Sequence, residues 1–324
     1  MTMTHVPEQT GKGEGQQDRL RQSLARGNAV VANATSVMRS LIDMPEPAVF
    51  SDAIVARTRG MIEGVAAQLL TRQAETMGPV ARDAFVEDRV ETLAGRLLER
   101  DDLVRHCHAL AQEWHLTERL DAETGLDPVL SPLLQELIGS ENPDQASAAM
   151  SAMAAQARYT QQMRRMEYDV SQLPADLFHQ ALTDWKTFSR AAASDSFAQA
   201  EKKLRSEFDE AAGRLSLLER IILSDEQQEQ GVLRIEHAGV ALFLSGLAAV
   251  SGQSREMVTV YSLLRDGSCL ALALKSGGLS ERDVTSIMWR LNPDASPPAG
   301  IADLSTRQAR EMLSVTSQKG GPPA

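Results

Sequence analysis

The sequence predicts an all-α protein, in which an irregular N-terminal helical bundle is followed by a solenoid-like C-terminal array of short helices. Good helix formers such as Ala, Leu, Gln, Arg and Glu are plentiful, whereas aromatic residues make up only 4% of the 324 residues. Windows rich in Val, Ile, Thr and Tyr, which would indicate strands, are hard to find. Apolar residues instead recur at spacings of three and four, which is the period of a helix.

The N-terminal part is predicted to consist of a disordered tail at 1–16 and a helical bundle at 17–223. The tail is rich in Gly, Gln and charge, and such a composition cannot bury enough apolar surface to fold. The first helix of the bundle should end near residue 41, before two prolines. A long helix over 51–76 follows, with Ser51 as its N-cap.

Gly60 and Gly64 form a pair of small residues on one side of this long helix. In a membrane such a pair favours close helix association. Charged residues flank the pair here, so the sequence favours close packing inside a soluble bundle.

Further helices are predicted at 79–99, 101–120 and 129–138, from Pro143 to about 168, and from Pro174 onward. The last helix of the bundle, 195–223, has apolar residues near a seven-residue repeat. This pattern fits either a coiled-coil seam, and hence a homo-oligomer through this helix, or a long helix lying across the bundle.

The C-terminal array is predicted at 224–292, with turns at Gly239, Gly252, Gly267 and the pair Gly277-Gly278. Ser254 and Ser280 stand where helices should begin, and Ser280 with Asp283 resembles a capping box. Ser224 with Gln227 is a second candidate box. Residues 293–324 are predicted as a flexible tail with a possible short helix at 303–314.

Charge and composition narrow the possible partners. The net charge is −11, which repels phosphate backbones and anionic membrane surfaces, so neither nucleic acid nor a membrane is the expected partner. The longest apolar stretch is too short to span a bilayer, and the N-terminus lacks an apolar signal core. The two cysteines, Cys107 and Cys269, lie far apart in sequence, which favours a reducing compartment and a cytoplasmic protein.

His106, Cys107, His108 and His115 are the obvious candidates for a metal site. Consecutive residues of a helix point about 100° apart, and His108 and His115 lie about 10 Å apart along the axis, too far to share one zinc ion without other ligands. We therefore expect no metal site, and we expect Cys107 to lie in the core.

Standard catalytic and cofactor signatures are missing from the sequence. It contains no G-x-S-x-G, Walker A or G-x-G-x-x-G motif. No catalytic, cofactor-binding or metal-binding residue is predicted, and we expect a protein that is not an enzyme and carries no cofactor.

Residues 247–264 have the outline of a DNA-binding helix-turn-helix, with Gly252 in the turn. The second helix would present Arg255 as its only cation, exposed on its surface, and Glu256 beside it would oppose phosphate. Residues 231–292 contain six Lys or Arg and five Asp or Glu, so no basic surface is indicated. Two helices joined by a Gly turn also occur in any helical array.

The C-terminal run VLRIEHAGVALFLSGLAAVSGQSREMVTVYSLLRDGSCLALALKSGGL resembles a bacterial family catalogued as domain of unknown function 2336. The resemblance covers the apolar ALFLSGLAAVSG helix, the Arg265-Asp266-Gly267 turn and the final LALALKSGGLS segment, within about residues 200 to 292. It implies a helical, cytoplasmic protein, and it supplies no catalytic residues.

The function that these observations favour is protein interaction. We expect an adaptor, scaffold or regulatory protein that binds a protein partner through a helical surface. The alternative is a nucleic-acid-binding or transcriptional regulator that uses the segment near 247–264.

Overall fold

The computed structural model describes residues 49–189, 195–223 and 229–319. Every regular element in these ranges is helical, so the predicted all-α class is confirmed. The predicted tail at 1–16, the first predicted helix and the Ser224–Gln227 capping box lie outside the described residues. A regular solenoid arrangement stays a prediction.

The helices follow one another with short connections. Their bounds are α1 Asp52–Gln73, α2 Pro79–Leu98, α3 Asp101–Thr124, α4 Pro132–Ile138, α5 Pro143–Arg164, α6 Ala175–Ser189, α7 Asp195–Glu207, α8 Arg214–Leu223, α9 Glu229–Val232, α10 Ile235–Ser251, α11 Arg255–Tyr261, α12 Ser268–Ser276, α13 Glu281–Leu291 and α14 Thr306–Lys319. Short 3-10 turns occupy Val170–Gln172, Glu210–Ala212 and Ile301–Asp303.

Polar side chains fix where several helices begin. Ser51 accepts a hydrogen bond from the amide of Ile54, and Ser254 accepts one from Met257, as the sequence predicted. Ser280 accepts from the amide of Asp283, and its hydroxyl also donates to the Asp283 carboxylate at 2.6 Å. This bond replaces the reciprocal backbone bond of a standard capping box, because an Asp side chain is one methylene shorter than Glu.

Two clusters of buried apolar side chains form the core. The first cluster joins α1, α2, α6 and α7. The second cluster joins α4, α8 and the helices from α9 to α14. Helix α3 belongs to both, because Leu110 and Trp114 lie in the first cluster while Leu116 and Leu120 lie in the second. Helix α5 is shared in the same way. The predicted domain boundary after residue 223 stays a prediction, and the boundary between the clusters runs through α3 and α5.

The single long helix predicted at 195–223 is wrong. Helix α7 ends at Glu207, a 3-10 turn follows, and α8 begins at Arg214. Phe208 stacks on Phe178 with ring centroids 4.0 Å apart, and Asp209 accepts a hydrogen bond from the amide of Ala211 in the turn. These contacts redirect the chain, so the apolar repeat does not form one continuous seam. The structure therefore gives no support to a homo-oligomer through one helix at 195–223, and self-association stays a prediction.

The segment after residue 292 packs against the rest of the chain as far as the described residues extend. Ile301, Ala309 and Leu313 are buried, and the Arg310 Nε donates to the carbonyl of Ser276 at 3.1 Å. The helix predicted at 303–314 is present as α14 and runs on to Lys319. Ala309 and Leu313, four residues apart, lie on the face of α14 that packs against the core, and α14 contacts α12.

The two glycines on α1, Gly60 and Gly64, face the loop that contains Met166 rather than another helix. A Cβ atom at Gly60 would lie 2.8 Å from the carbonyl oxygen of Met166, whereas one at Gly64 would have no neighbour closer than 3.9 Å. The predicted close packing is therefore present at Gly60. Met166 itself has a positive φ of 56°, which is uncommon for a side chain other than glycine.

Within the described ranges, no single helix combines the length and apolar composition of a membrane span. Helices α10 and α11 reach that composition only as a pair, and they are bent by 109° relative to each other.

Candidate interaction groove

The histidines and the cysteine considered as metal ligands point to different neighbours. One ring nitrogen of His106 lies 3.3 Å from the Tyr168 hydroxyl and the other lies 3.7 Å from Glu256. His108 faces the carbonyl of Val49 at 2.8 Å. Cys107 is buried, and burial raises the pKa of its thiol to about 12. In the described part of the chain, no group of three His, Cys, Asp or Glu side chains could hold a metal ion.

The helix-turn-helix outline is present, but its second helix is covered. The 109° bend between α10 and α11 is within the range of helix-turn-helix motifs. Gly252 forms the turn in the left-handed conformation, with φ 66° and ψ 20°. From 255 to 263, however, Arg255, Glu256, Met257 and Val260 are half-buried and the other residues are buried. Since a recognition helix must insert an exposed face into a groove of DNA, this segment does not support the nucleic-acid alternative, which is otherwise untested.

The expectation that Arg255 is exposed is wrong, because its guanidinium binds a buried carboxylate. Its two terminal nitrogens each lie 2.9 Å from an oxygen of Glu113. Arg214 donates to both oxygens of the same carboxylate from the other side. The side chains of Glu113, Arg214 and Arg255 are 0%, 5% and 14% exposed. We call these three residues the charge cluster.

Further side chains form hydrogen bonds and a cation–π contact with the two arginines of the charge cluster. The Arg214 Nε donates to the Gln156 side chain at 2.6 Å, and its guanidinium lies 3.7 Å from the centre of the Tyr159 ring. The Arg255 Nε donates to the hydroxyl of Ser245 at 2.9 Å. Burial alone would raise the pKa of Glu113, but the two arginines outweigh it and lower that pKa to about 2.

The charge cluster is a structural centre rather than a reactive one. Both oxygens of Glu113 accept hydrogen bonds from two guanidinium groups, and its low pKa keeps it ionised, so it is unsuited to accept a proton from a substrate. It joins α3, α8 and α11, which lie far apart in sequence. Sequence reasoning missed it because Glu113 stands among apolar residues of α3 whose burial was expected, while its partners are 101 and 142 residues away.

A surface groove with a volume of about 650 Å³ lies beside α13. We call it the C-terminal groove. Its lining residues come from the chain before and at the start of α10, from the α12–α13 connection and from α13 itself: Leu233, Arg234, Glu236, Gly277, Gly278, Leu279, Ser280, Asp283, Ser286 and Ile287.

Glycine is required at the floor of the C-terminal groove. A Cβ atom at Gly277 would lie 2.7 Å from Leu233 and 3.1 Å from Val250, so a larger residue would push these side chains apart. Beside the groove, Arg290 of α13 forms an ion pair with Glu236 at 2.8 Å. That contact fixes α13 against the start of α10.

Trp289 stands next to the C-terminal groove and is 69% exposed. It follows the groove residue Ser286 by three positions on α13, so the two side chains are neighbours on the helix surface. Its helix is otherwise strongly amphipathic, with Val284, Ile287, Met288 and Leu291 buried. Trp289 is therefore not needed to hold α13 on the core.

The groove combines a small apolar surface with a charged rim. Leu279 is half-buried in the lining, whereas Leu233 and Ile287 are buried. Arg234, Glu236 and Asp283 supply charges of both signs. Its lining contains neither His nor Cys, and the Ser280 hydroxyl is bound to the Asp283 carboxylate without a further base. This composition resembles a protein-binding surface more than a reaction centre.

No family model, curated protein or solved structure matches this chain. The resemblance to domain of unknown function 2336 therefore stays a prediction from the sequence.

Proposed function

We propose that the protein is a non-enzymatic interaction module, an adaptor or scaffold, that binds a protein partner through the C-terminal groove. The observation that carries the proposal is the 69% exposure of Trp289 beside a groove that is lined by charges of both signs. Tryptophan is enriched among the few residues that dominate binding energy at protein interfaces, because it buries a large rigid surface and keeps a hydrogen-bond donor.

The rim of the groove suits a partner segment with an apolar anchor between polar flanks. Arg234 is exposed, and within the described residues its side chain has no ion pair. Asp283 and Glu236 carry the opposite charge, and their carboxylates can accept hydrogen bonds from a partner. Such a rim contributes specificity and orientation, whereas Trp289 contributes most of the affinity. Location in the cytoplasm is part of this proposal and rests on the sequence.

Quantitative capture from a native extract tests the proposal, with the full chain as bait. We expect Trp289→Ala to release the specific partner, with affinity reduced by about thirtyfold, the effect of losing about 2 kcal/mol at an interface hot spot. Val80→Ala is the matched control, because Val80 is an apolar side chain that is 85% exposed on α2 and does not line the groove. If every captured protein is retained equally by Trp289→Ala and the wild type, this groove is not the interaction site.

A further inference from the structure

A second hollow, of about 450 Å³, lies between α5 and α8. We call it the α5–α8 hollow. Its lining residues are Ser151, Ala154, Arg158, Asp209, Ala211, Ala212, Leu217 and Arg220. Ser151, Ala154 and Arg158 share one face of α5, since they are three and four positions apart. None of these residues lines the C-terminal groove.

Arg158 and Arg220 are two exposed cations in one hollow, and neither has a hydrogen bond or an ion pair with any part of the chain that the structure describes. Exposed arginines elsewhere in this acidic protein are commonly paired, as Arg59 is with Glu63 and Arg307 with Glu311. Two unpaired neighbouring cations on a chain of net charge −11 form a local positive site that would attract an anion.

The rest of the lining is mostly small. Ala154, Ala211 and Ala212 have short side chains, and Ser151 carries a hydroxyl group. The hollow runs along the ten-residue helix α8, since Arg220 lies in the last turn of that helix. Asp209 is the one acidic side chain that lines the hollow, and its Oδ1 accepts a hydrogen bond from the amide of Ala211 at 3.0 Å.

We propose that the α5–α8 hollow binds a phosphate monoester group between Arg158 and Arg220. A phosphate monoester carries about −1.5 to −2 charges near neutral pH and three acceptor oxygens, which matches two planar guanidinium groups. A single carboxylate would be saturated by one of them. A neighbouring hollow of about 410 Å³ shares Arg220 and includes Asn142, Asp144, Gln145 and Ser147, so the rest of a larger ligand has polar groups to bind.

Two sources could supply this group, namely a small phosphorylated metabolite and a phosphorylated side chain of a peptide. Calorimetric titration of the full chain with O-phosphoserine, and with a short peptide containing one phosphoserine, distinguishes them. Equal affinity for both probes identifies the small ester as sufficient, whereas tighter binding of the peptide identifies a phosphorylated segment. Either result supports the site. Equal binding of the same peptide with Glu in place of phosphoserine would overturn the proposed selectivity for phosphate.

The variants are chosen to move affinity in both directions. Arg158→Gln and Arg220→Gln should each weaken phosphoserine binding by at least about tenfold, because each removes a charge-assisted bidentate contact. Asp209→Asn keeps an acceptor for the Ala211 amide but removes the opposing charge, so it should strengthen binding. Arg158→Lys should give an intermediate affinity, since it keeps the charge without the planar fork.

Arg164→Gln is the control, because Arg164 is an exposed arginine on the same helix that does not line the hollow. All these positions are on the surface, so circular dichroism and urea midpoints should stay at wild-type values. The proposal fails if phosphoserine shows no saturable binding, if Arg164→Gln weakens binding as much as Arg158→Gln, or if Asp209→Asn weakens it. Trp289→Ala should leave phosphoserine binding unchanged, so this test is independent of the proposed interaction groove.

Discussion

Arg255 forms a bidentate ion pair with Glu113, although 142 residues separate them in the chain. The pair ties α11, in the C-terminal array, to the middle of α3. Arg214 binds the same carboxylate, so the charge cluster holds two cations and one anion inside the protein. Removing different members of the cluster therefore leaves different net charges behind.

We expect Glu113→Gln to destabilise the protein more than Arg255→Met. The first variant leaves two buried guanidinium groups facing each other without a counter-charge, and breaking a buried pair in this way costs about 3–5 kcal/mol. The second leaves Glu113 paired with Arg214, so the remaining cluster is neutral. Urea unfolding at neutral pH measures both effects as shifts in the midpoint.

Arg205→Met is the matched control for those two variants. Arg205 pairs with Glu201 at 2.9 Å, but its side chain is 42% exposed. Exposed pairs of this kind contribute less than about 1 kcal/mol. A midpoint for Glu113→Gln as high as that of Arg205→Met would contradict the structural role of the charge cluster.

Stability should fall steeply in acid because of Glu113. Its pKa is lowered in the folded protein from 4.5 to about 2, so its stabilising effect is complete above the unfolded value. That effect is lost as the pH falls through the folded value, and on the order of 3 kcal/mol should disappear between about pH 5 and pH 2. Glu256 acts in the same direction, because interaction with His106 lowers its pKa to about 2.

A series of urea titrations across that pH range tests this expectation. The Glu113→Gln variant has no carboxyl group to protonate at that position, so its stability should depend less on pH. Parallel pH profiles for the variant and the wild type would show that other carboxylates control acid unfolding.

Gly60 and Gly64 should respond in opposite ways to the same substitution. Gly60→Ala places a methyl group 2.8 Å from the Met166 carbonyl oxygen, and relieving such an overlap costs about 1–3 kcal/mol. Gly64→Ala meets only an ordinary contact at 3.9 Å and gains up to about 1 kcal/mol from helix propensity. Thermal unfolding of the two variants should therefore shift to either side of the wild type.

Gly252→Val should destabilise the α10–α11 turn. The residue has a φ of 66°, a conformation that a β-branched residue adopts only with strain, so a cost of about 1–2 kcal/mol or more is expected. A Cβ atom there would meet no atom within 4 Å, so the expected loss comes from backbone strain and not from overlap of the Cβ atom. Asn adopts this conformation more easily, and Gly252→Asn should retain most of the stability.

The two thiols should differ in reactivity. Cys107 is buried with its pKa raised to about 12, whereas Cys269 is only partly buried. Since the thiolate is the reactive form, a thiol reagent should modify Cys269 first in the folded protein and reach Cys107 only after unfolding. Modification of Cys107 at the same rate as Cys269 in native buffer would contradict its burial.

Local signals in the sequence were sufficient for most helices. Ser51, Ser254 and Ser280 mark helix starts through bonds within three residues, and Gly252 marks a turn through its own backbone. The break after Glu207 depends instead on the stacking of Phe208 on Phe178, thirty residues earlier, and periodicity alone could not reveal it.

The candidate surfaces were not predictable in the same way. No motif in the sequence marks Trp289, which lies outside the stripe of Val284, Ile287, Met288 and Leu291 on α13 and is 69% exposed. Arg255 could not be predicted either, since a cation near a helix start suggests exposure, whereas this side chain is only 14% exposed. Its counter-charge lies on α3, and the pairing of distant residues is information that a single sequence does not contain.

The sharing of α3 between the two core clusters has a consequence for dividing the chain. If the chain is cut after Leu223, the second cluster loses Leu116 and Leu120 from its own fragment, and Glu113 is separated from Arg255. Neither fragment should then fold cooperatively by itself. When the two fragments are mixed, they should bind each other and restore the native circular dichroism spectrum, because each one carries the apolar surface that the other must bury.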